Sequence, residues 1–113
     1  MANSFVNKKV DLTTKSATTL YTVPSATTAI IKSILVSEDS GNADTITVTI
    51  TDTSDNVFSL FKTKSISANA TTELISNPLV LEESEILKVT AATANRLHVI
   101  LSALESKPRE VTS

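Results

Sequence analysis

A single histidine is the residue of this sequence best suited to acid–base chemistry. His98 lies between Leu97 and Val99, in a segment with the alternation of a β-strand. A general base needs a nucleophile and a cleft beside it. With one glycine in 113 residues, the chain cannot build a G-x-S-x-G elbow around a serine. We therefore interpret His98 as a strand residue with a local hydrogen bond, and we expect no catalytic residue.

Acidic residues recur in two neighbouring turns, with Glu38, Asp39 and Asp44 in the first and Asp52 and Asp55 in the second. Calcium binds six to eight oxygen ligands, so oxygen-rich turns of this kind are possible ligand sets. The spacing matches no EF-hand loop, and Asp also forms turns by hydrogen-bonding to nearby backbone. We expect turn formation and no metal site, with calcium as the alternative.

A third acidic group, Glu82, Glu83 and Glu85, could supply the paired carboxylates of a glycosidase. Sugar-binding sites and single-strand nucleic-acid sites usually stack their ligands on aromatic rings. This chain has three Phe, one Tyr and no Trp, and it lacks the glycines of a phosphate-binding loop. We interpret the three carboxylates as exposed charge, and we expect neither an enzyme nor a cofactor.

The composition narrows the set of partners. Ten basic and twelve acidic residues give a net charge of −2, so there is no electrostatic case for nucleic acid or for an anionic membrane. Cysteine is missing, which excludes disulfides and thiolate zinc sites. No apolar run reaches the length of a membrane span, and the first ten residues lack the apolar core of a signal peptide. We expect a protein partner and no export by a signal peptide.

Strand-forming segments and turn residues alternate closely along the chain, dividing it into eight or nine short strands. Ser and Thr make up roughly 30% of the residues, and the branched Cβ of threonine favours strands. Short strands with turn signals between them are typical of antiparallel sandwiches. We predict an all-β fold, an antiparallel and jelly-roll-like β-sandwich that forms one domain over residues 1–113. Residues 1–7 and 105–113 are predicted to extend from it as arms.

Three segments have patterns that predict their place in this sandwich. Thr28–Glu38 is apolar on both sides, so we expect a central strand with both faces covered. Val57–Lys62 is also largely apolar on both sides, and we place it deep in the core. Asp44–Thr51 alternates without a fault, with Ile and Val on one side and Thr on the other. Its uncharged threonine side suits packing against a neighbouring subunit, although threonine is also a good solvent-facing strand residue.

The segment Thr19–Ile50 resembles a recurrent opening in small virion proteins of tailed bacteriophages. The pattern is T-L-Y-T-x-P, a short turn, then T-A-x-x-K-S-I-x-V, a polar turn and an alternating Thr/Val strand. It is carried here by Thr19, Leu20, Tyr21, Thr22, Pro24, Thr28, Ala29, Lys32, Ser33, Ile34 and Val36. The family usually has a glycine after the proline, where this chain has the sequence SATT.

The resemblance implies a β-sandwich subunit of a phage virion, in which Leu20 is buried while Tyr21 presents an amphipathic ring. Among virion proteins, a compact domain with two short arms and no charged pocket favours a capsid decoration or cement protein. Its expected partners are further copies of itself, with a trimer suited to three-fold positions, and the major capsid protein. The alternatives are a neck, tail or baseplate subunit and a host-binding fibre module. The expected location is the virion, assembled in the host cytoplasm.

Overall fold

Two antiparallel β-sheets make up the structure, which is a computed structural model describing residues 2–107. Alternating burial along the strands, with β-branched residues on the pleated surfaces, is the pattern expected of a sheet buried on one side. The predicted all-β sandwich is confirmed. The strands are β1 (Ala2–Asp11), β2 (Thr18–Thr22), β3 (Thr28–Glu38), β4 (Asp44–Thr51), β5 (Val57–Ile66), β6 (Thr71–Glu73), β7 (Leu79–Leu81), β8 (Ile86–Ala91) and β9 (Leu97–Lys107).

The order of the strands is that of a jelly roll. One sheet has the order β1-β9-β3-β6, with β7 also paired to β3, and the other has the order β2-β8-β4-β5. Early strands therefore pair with late ones in reverse order, β1 with β9, β2 with β8 and β3 with β6 and β7. An antiparallel ribbon rolled up into two sheets has this arrangement. The predicted jelly-roll character is thus confirmed.

The core lies between the two sheets and follows the period-2 alternation of their strands. In β4, Ile46 and Val48 are fully buried while Thr45, Thr47 and Thr49 point outward and remain partly exposed, as predicted. In β9, every second residue from Leu97 to Ala103 is buried in the same way. Each sheet thus has one covered face and one outward face, and the outward faces are the surfaces available for binding.

The prediction that Val57–Lys62 lies deep in the core is wrong. β5 is the edge strand of its sheet, and Val57 and Phe58 are 62% and 56% exposed. The register of β5 against β4 is irregular at two places, so Phe58 and Phe61 both lie opposite inward residues of β4 although they are three positions apart. A bulge shifts the alternation along the strand, so odd-numbered and even-numbered residues can both be apolar although only one face of the strand is covered.

A second bulge explains a second correction, which concerns Tyr21. The register of β2 shifts between Thr19 and Tyr21, and both Leu20 and Tyr21 are buried. The Tyr21 hydroxyl donates a hydrogen bond of 2.5 Å to Oε2 of Glu105, which lies on the opposite sheet and is also buried. Burial raises the pKa of Tyr21, and the hydrogen bond to Glu105 and the negative charge of that carboxylate raise it further. Tyr21 therefore links the two sheets instead of presenting its ring to solvent.

The predicted arms are largely part of the five-stranded sheet. β1 pairs with β9 along its whole length, from Ala2 opposite Lys107 to Asp11 opposite His98. Glu105, predicted to begin the second arm, is a buried residue of β9. The described parts of both arms thus form one paired ribbon along the edge of the sandwich, while residues 1 and 108–113 lie outside the described residues.

Candidate interaction surfaces

An apolar row crosses the outward face of the five-stranded sheet. The register places Phe5 opposite Leu104, Leu104 opposite Ile30, and Ile30 opposite Val80, so that four strands contribute one residue each. Phe5 and Val80, at the two ends, are 80% and 57% exposed, and the two central residues are partly exposed. Paired residues of an antiparallel sheet point to the same side, so the four form one continuous surface, which we call the apolar row.

A second row on the same face carries charge at its two ends. Lys9 lies opposite Ile100, Ile100 opposite Leu35, and Leu35 opposite Glu73. Ile100 and Leu35 are partly exposed, while Lys9 and Glu73 are exposed at opposite edges of the sheet. The carboxylate of Glu73 also accepts hydrogen bonds from the Ser33 hydroxyl and from the amide of Ile34 at 2.8 Å. This row is therefore apolar in the middle, with a cation at one end and an anion at the other.

The outward face of the other sheet is dominated by threonine. Thr47 lies opposite Thr90, and Thr49 lies opposite Lys88, all of them partly exposed. We call the outward residues Thr45, Thr47, Thr49, Lys88 and Thr90 the threonine face. The sequence of β4 predicted a face without charge, but β8 adds a lysine to it. The two outward faces therefore differ in character, one apolar across four strands and the other hydroxyl-rich with a cation.

His98 lies on the outward face of the five-stranded sheet between two carboxylates. Its Nε2 is 3.3 Å from Oδ1 of Asp11, and its Nδ1 is 3.7 Å from Oδ2 of Asp39. Ser37 is its register partner on β3, so aspartate, histidine and serine form one row. A serine nucleophile needs a free imidazole nitrogen as its base, and here both nitrogens face carboxylates. The surrounding depression, of about 440 Å³, is open and lies on the sheet surface.

The four aspartates considered as calcium ligands lie at opposite ends of β4. Asp39 and Asp44 precede or begin the strand, while Asp52 and Asp55 follow it, and eight strand residues separate the two turns by about 26 Å. Within residues 2–107, no three His, Asp or Glu side chains lie close enough together to hold a metal ion.

Asp52 forms hydrogen bonds within its own turn, as the sequence predicted, whereas Asp44 links the start of β4 to the turn between β8 and β9. Asp44 accepts a hydrogen bond of 3.0 Å from the amide of Thr93. Asp52 accepts hydrogen bonds of 2.9 Å from the amides of Ser54 and Asn56. The hydrogen bond from the Asn56 amide is the main cause that lowers the pKa of Asp52, and the Asn56 side chain and the Ser54 amide lower it further against the effect of burial.

The third acidic group is also engaged in local structure. Glu83 accepts a hydrogen bond of 2.7 Å from the amide of Ala26, which ties the β7–β8 turn to the β2–β3 turn. Glu85 accepts a hydrogen bond of 2.7 Å from the amide of Glu82 within its own turn. The two carboxylates therefore shape turns at one end of the sandwich, where backbone donors already occupy them.

Glu38 has a structural role that the sequence did not predict. Its side chain is 1% exposed, and its carboxylate accepts hydrogen bonds from the amides of Ser40 (2.8 Å), Gly41 (3.1 Å) and Asn69 (3.0 Å) and from the Ser40 hydroxyl. Burial alone would raise the pKa of Glu38, but these hydrogen bonds outweigh it and lower the pKa to about 2. The Glu-x-Ser-Gly sequence, which begins at the last residue of β3, is the signal that could have revealed this turn.

The apolar row was also missed, although β3 contains a sign of it. Its apolar pattern on both sides predicted a strand covered on both faces, but the outward residues Ile30 and Leu35 remain partly exposed. The row itself could not be read from the sequence, because its four members come from distant segments and meet only through the strand register.

Comparisons with known proteins give no information on function, which therefore has to be inferred from the surfaces described above. No family model and no curated protein matches the sequence. No helix within residues 2–107 has the length and apolar character needed to cross a membrane. Jelly rolls occur in viral capsid, lectin and cupin domains, so the fold alone does not select a function.

Proposed function

We propose that this protein is a structural subunit of a tailed-phage virion, and specifically a capsid decoration or cement protein. It binds neighbouring protein subunits, including the major capsid protein, through the outward faces of its sheets, and it has no catalytic role. The observation that carries the proposal is the apolar row, with Phe5 80% and Val80 57% exposed at its ends. Contiguous exposed apolar surface on a small domain is a mark of a protein interface.

The energetics of the apolar row favour a covered state. Burying a Phe or Val side chain that was exposed contributes about 1.5–3 kcal/mol. Contact with one neighbour that covers Phe5, Ile30 and Val80 therefore supplies several such contributions without any charged pocket. A decoration protein is present in many copies, so moderate contacts repeated over a shell can reinforce it against internal pressure.

The resemblance of Thr19–Ile50 to small phage virion proteins supports the same class of function. The resemblance is largely independent of the apolar row. Three residues of the row, Phe5, Val80 and Leu104, lie outside the matching segment, and only Ile30 lies inside that segment. Two separate observations therefore favour a virion subunit that acts by contact.

A neck, tail or baseplate subunit is the second candidate, because it would use the same apolar row against a ring of neighbours. A host-binding fibre module is less well supported, since it needs rings or ions around a concave site. Tyr21 is buried, and the aspartates of the two acidic turns lie at opposite ends of β4. A hydrolase has still less support, because the carboxylates of Asp11 and Asp39 face both nitrogens of His98.

Co-sedimentation with phage heads tests the proposal. The wild-type protein is mixed with undecorated heads assembled from the major capsid protein encoded with this chain, and bound protein is measured against total protein. We expect saturable binding that Phe5→Asp abolishes. Phe58→Asp is the matched control, because Phe58 is another exposed phenylalanine, 56% exposed, on the edge strand of the other sheet.

Two outcomes would contradict the proposal. Equal binding by the Phe5→Asp and Phe58→Asp variants would show that the apolar row does not contact the phage head. Binding to isolated tails or portal rings, together with no binding to heads, would replace decoration with the second candidate.

A further inference from the structure

We infer that β1 is an exchangeable arm, and that the edge of β9 on which it lies also binds β1 of a second copy of this chain. In the exchanged state, each copy inserts its β1 beside β9 of a neighbour, and the rest of each domain stays closed. This inference goes beyond the proposed function, because it concerns how copies are linked to one another and requires no phage head.

β1 is held mainly by its backbone. Within residues 3–11, only Val6 and Val10 are partly buried, and the other side chains are exposed. The strand pairs with β9 along its whole length without a register shift. β9 differs, since every second residue from Leu97 to Glu105 is buried. A segment with few buried apolar contacts opens at a lower free energy than the core, so β1 can leave while the sandwich remains folded.

The pivot of the arm lies between Asp11 and Leu12. Leu12 is fully buried; its amide donates a hydrogen bond of 3.0 Å to the carbonyl of Leu97, and its carbonyl accepts one of 2.8 Å from the amide of Asn95. The chain after it, residues 13–17, is exposed and leads to β2 in the other sheet. Leu12 therefore anchors the chain to the sandwich when β1 is released.

The occupant of the β9 edge is already present in the structure. This edge binds the β1 sequence over ten register pairs. β1 of another copy has the same sequence, so it makes the same pairs and restores the partial burial of Val6 and Val10. An exchanged strand forms between two copies the interface that it formed within one, and for this reason exchange is a low-cost route to an oligomer.

Exchange buries no additional charge. Lys8, Lys9 and Asp11 are the charged residues of β1, and all three are exposed beside β9. Asp11 of the incoming strand takes the position, 3.3 Å from Nε2 of His98, that the chain's own Asp11 occupies in the closed state. The outward face, including the exposed Lys32 on β3, keeps its composition. The exchanged state therefore matches the closed state without any new ion pair.

The proximity of neighbouring copies decides between the two states. Both states have the same contacts at β1, so their equilibrium depends on the concentration of other copies. Ten extended residues span about 33 Å, close to the diameter of a small domain, so a released arm reaches an adjacent copy. Copies held side by side have an effective concentration in the millimolar range. We expect exchange under those conditions, in a reciprocal pair or in a closed ring.

Cysteine cross-linking tests the exchange, because the natural chain has no cysteine. Val6→Cys and Ala103→Cys proteins are purified separately, one carrying a size tag, then mixed at about 1 mM and oxidised. Val6 lies opposite Ala103, and register partners have the Cα separation that a disulfide requires. Ala103 is 1% exposed on the inward side of β9, so a collision between surfaces does not reach it. We expect a disulfide-linked species that contains one copy of each protein.

Val48→Cys mixed with Val89→Cys is the matched control. These two residues are also buried register partners, but they lie on β4 and β8 in the middle of the other sheet. Exchange at that position requires the sandwich to unfold, so we expect a yield about tenfold lower. Circular dichroism checks that each variant is folded before mixing. Equal yields from the two mixtures, or no linked species from Val6→Cys and Ala103→Cys, would overturn the inference.

Hydrogen–deuterium exchange of the wild-type protein gives a second test that needs no substitution. NMR follows individual amides, and the comparison is between the β1 amides and the β3 amides that donate to β9, since β1 and β3 flank β9 on its two sides. We expect these β1 amides to exchange about tenfold faster or more. Equal protection of the two strands would overturn the inference, because β1 would then open only when the whole domain unfolds.

These tests separate the failure of the inference from that of the proposed function, because neither of them involves phage heads. A protein that binds heads through Phe5 but does not exchange β1 overturns the inference and leaves the proposed function standing. A protein that exchanges β1 but binds neither heads nor tails supports the inference and overturns the proposed function.

Discussion

The two ends of the sandwich each bury one carboxylate of the same sheet, but they do so in different ways. β3 and β9 are antiparallel, so Glu38 lies opposite Leu97 at one end and Glu105 lies opposite Ala29 near the other. Glu38 is 1% exposed and Glu105 is 6% exposed. A buried carboxylate is tolerated when donors surround it, and the source of the donors is what differs.

At the Glu38 end, the donors are mostly backbone amides from two turns, at Ser40 and Gly41 and at Asn69. These turns connect β3 to β4 and β5 to β6, and each passes from one sheet to the other. At the other end, the Tyr21 hydroxyl bridges the sheets to Glu105. One end is therefore fixed by loops that close around an ionised carboxylate, and the other by a side-chain bridge through the core.

Glu38→Gln should have the largest effect on stability. Each carboxylate oxygen of Glu38 accepts hydrogen bonds from two donors, and the amide of Gln replaces one oxygen with an NH₂ group that cannot accept them. Two donors at the Glu38 end would then lose their acceptor. We expect the melting temperature, measured by circular dichroism at pH 7, to change more than in the Tyr21→Phe and Ala26→Gly variants described below. Glu82→Gln, an exposed carboxylate at the opposite end, is the control and should leave the melting temperature unchanged.

The pH dependence of this effect has a defined sign. The pKa of Glu38 is lowered in the folded protein from its ordinary 4.5 to about 2. Its contribution is therefore fully present above pH 4.5 and is lost as the pH falls towards about 2. The difference in unfolding free energy between the wild-type protein and Glu38→Gln should shrink over this range. A constant difference from pH 6 to pH 2 would contradict the assignment.

Tyr21→Phe tests the other end and should have the second largest effect. It removes the only donor described for the Glu105 carboxylate within residues 2–107. Loss of one partner of a buried hydrogen bond costs about 1–3 kcal/mol, and urea unfolding at pH 7 measures it. Glu105→Gln keeps an acceptor for the phenol and should cost less. An equal loss in both variants would indicate that packing, not the hydrogen bond, dominates at this end.

The sequence predicted the inward and outward sides of a strand correctly where apolar and polar residues alternate regularly, and wrongly where a bulge interrupts the alternation. The alternation of Asp44–Thr51 gave the correct inward and outward sides from Thr45 to Thr49, where burial follows a period of two. At the end of the strand the prediction is wrong, because Thr51 is buried and Ile50 is only partly buried. The depth of Val57–Lys62 and the exposure of Tyr21 were predicted wrongly, because bulges in β5 and β2 shift the alternation. A bulge depends on the partner strand, so the pattern of one segment does not reveal it.

The candidate surfaces were predicted less completely than the fold. Thr45, Thr47 and Thr49 of β4 were expected on an outward face and lie there, whereas Thr51 is buried. The cation that β8 adds at Lys88 depends on register. The apolar row needs the register of four strands at once. His98 was interpreted as a strand residue with a local hydrogen bond; it lies on β9, and its ring nitrogens are 3.3 Å from Asp11 and 3.7 Å from Asp39. Side chains far apart in the chain meet through pairing, which local patterns do not encode.

The smallest predicted effect on stability concerns backbone strain in the turns, and the two ends of the sandwich differ in this respect as well. Residues with positive φ at the Glu38 end are Gly41, Asn69 and Asn95, whereas those at the Tyr21 end are Asp55, Ser84 and Ala26, the last with φ of 54°. Glycine and asparagine enter this left-handed region at lower cost than alanine. The loop-closed end thus uses only residues that tolerate this conformation, whereas the bridged end also places Ala26 and Ser84 in it.

Ala26→Gly should therefore stabilise the protein by about 0.5–1 kcal/mol, since relief of the left-handed strain exceeds the entropy cost of glycine. Ala26 is exposed, and the substitution keeps its amide, which donates to Glu83. Asn69→Gly is the matched control at the other end, because Asn69 has the same φ of 54° and its amide donates to Glu38. It should change stability by less than Ala26→Gly in the same urea titration. If both substitutions stabilise equally, the strain is a property of the turns in general, and the two ends do not differ in this respect.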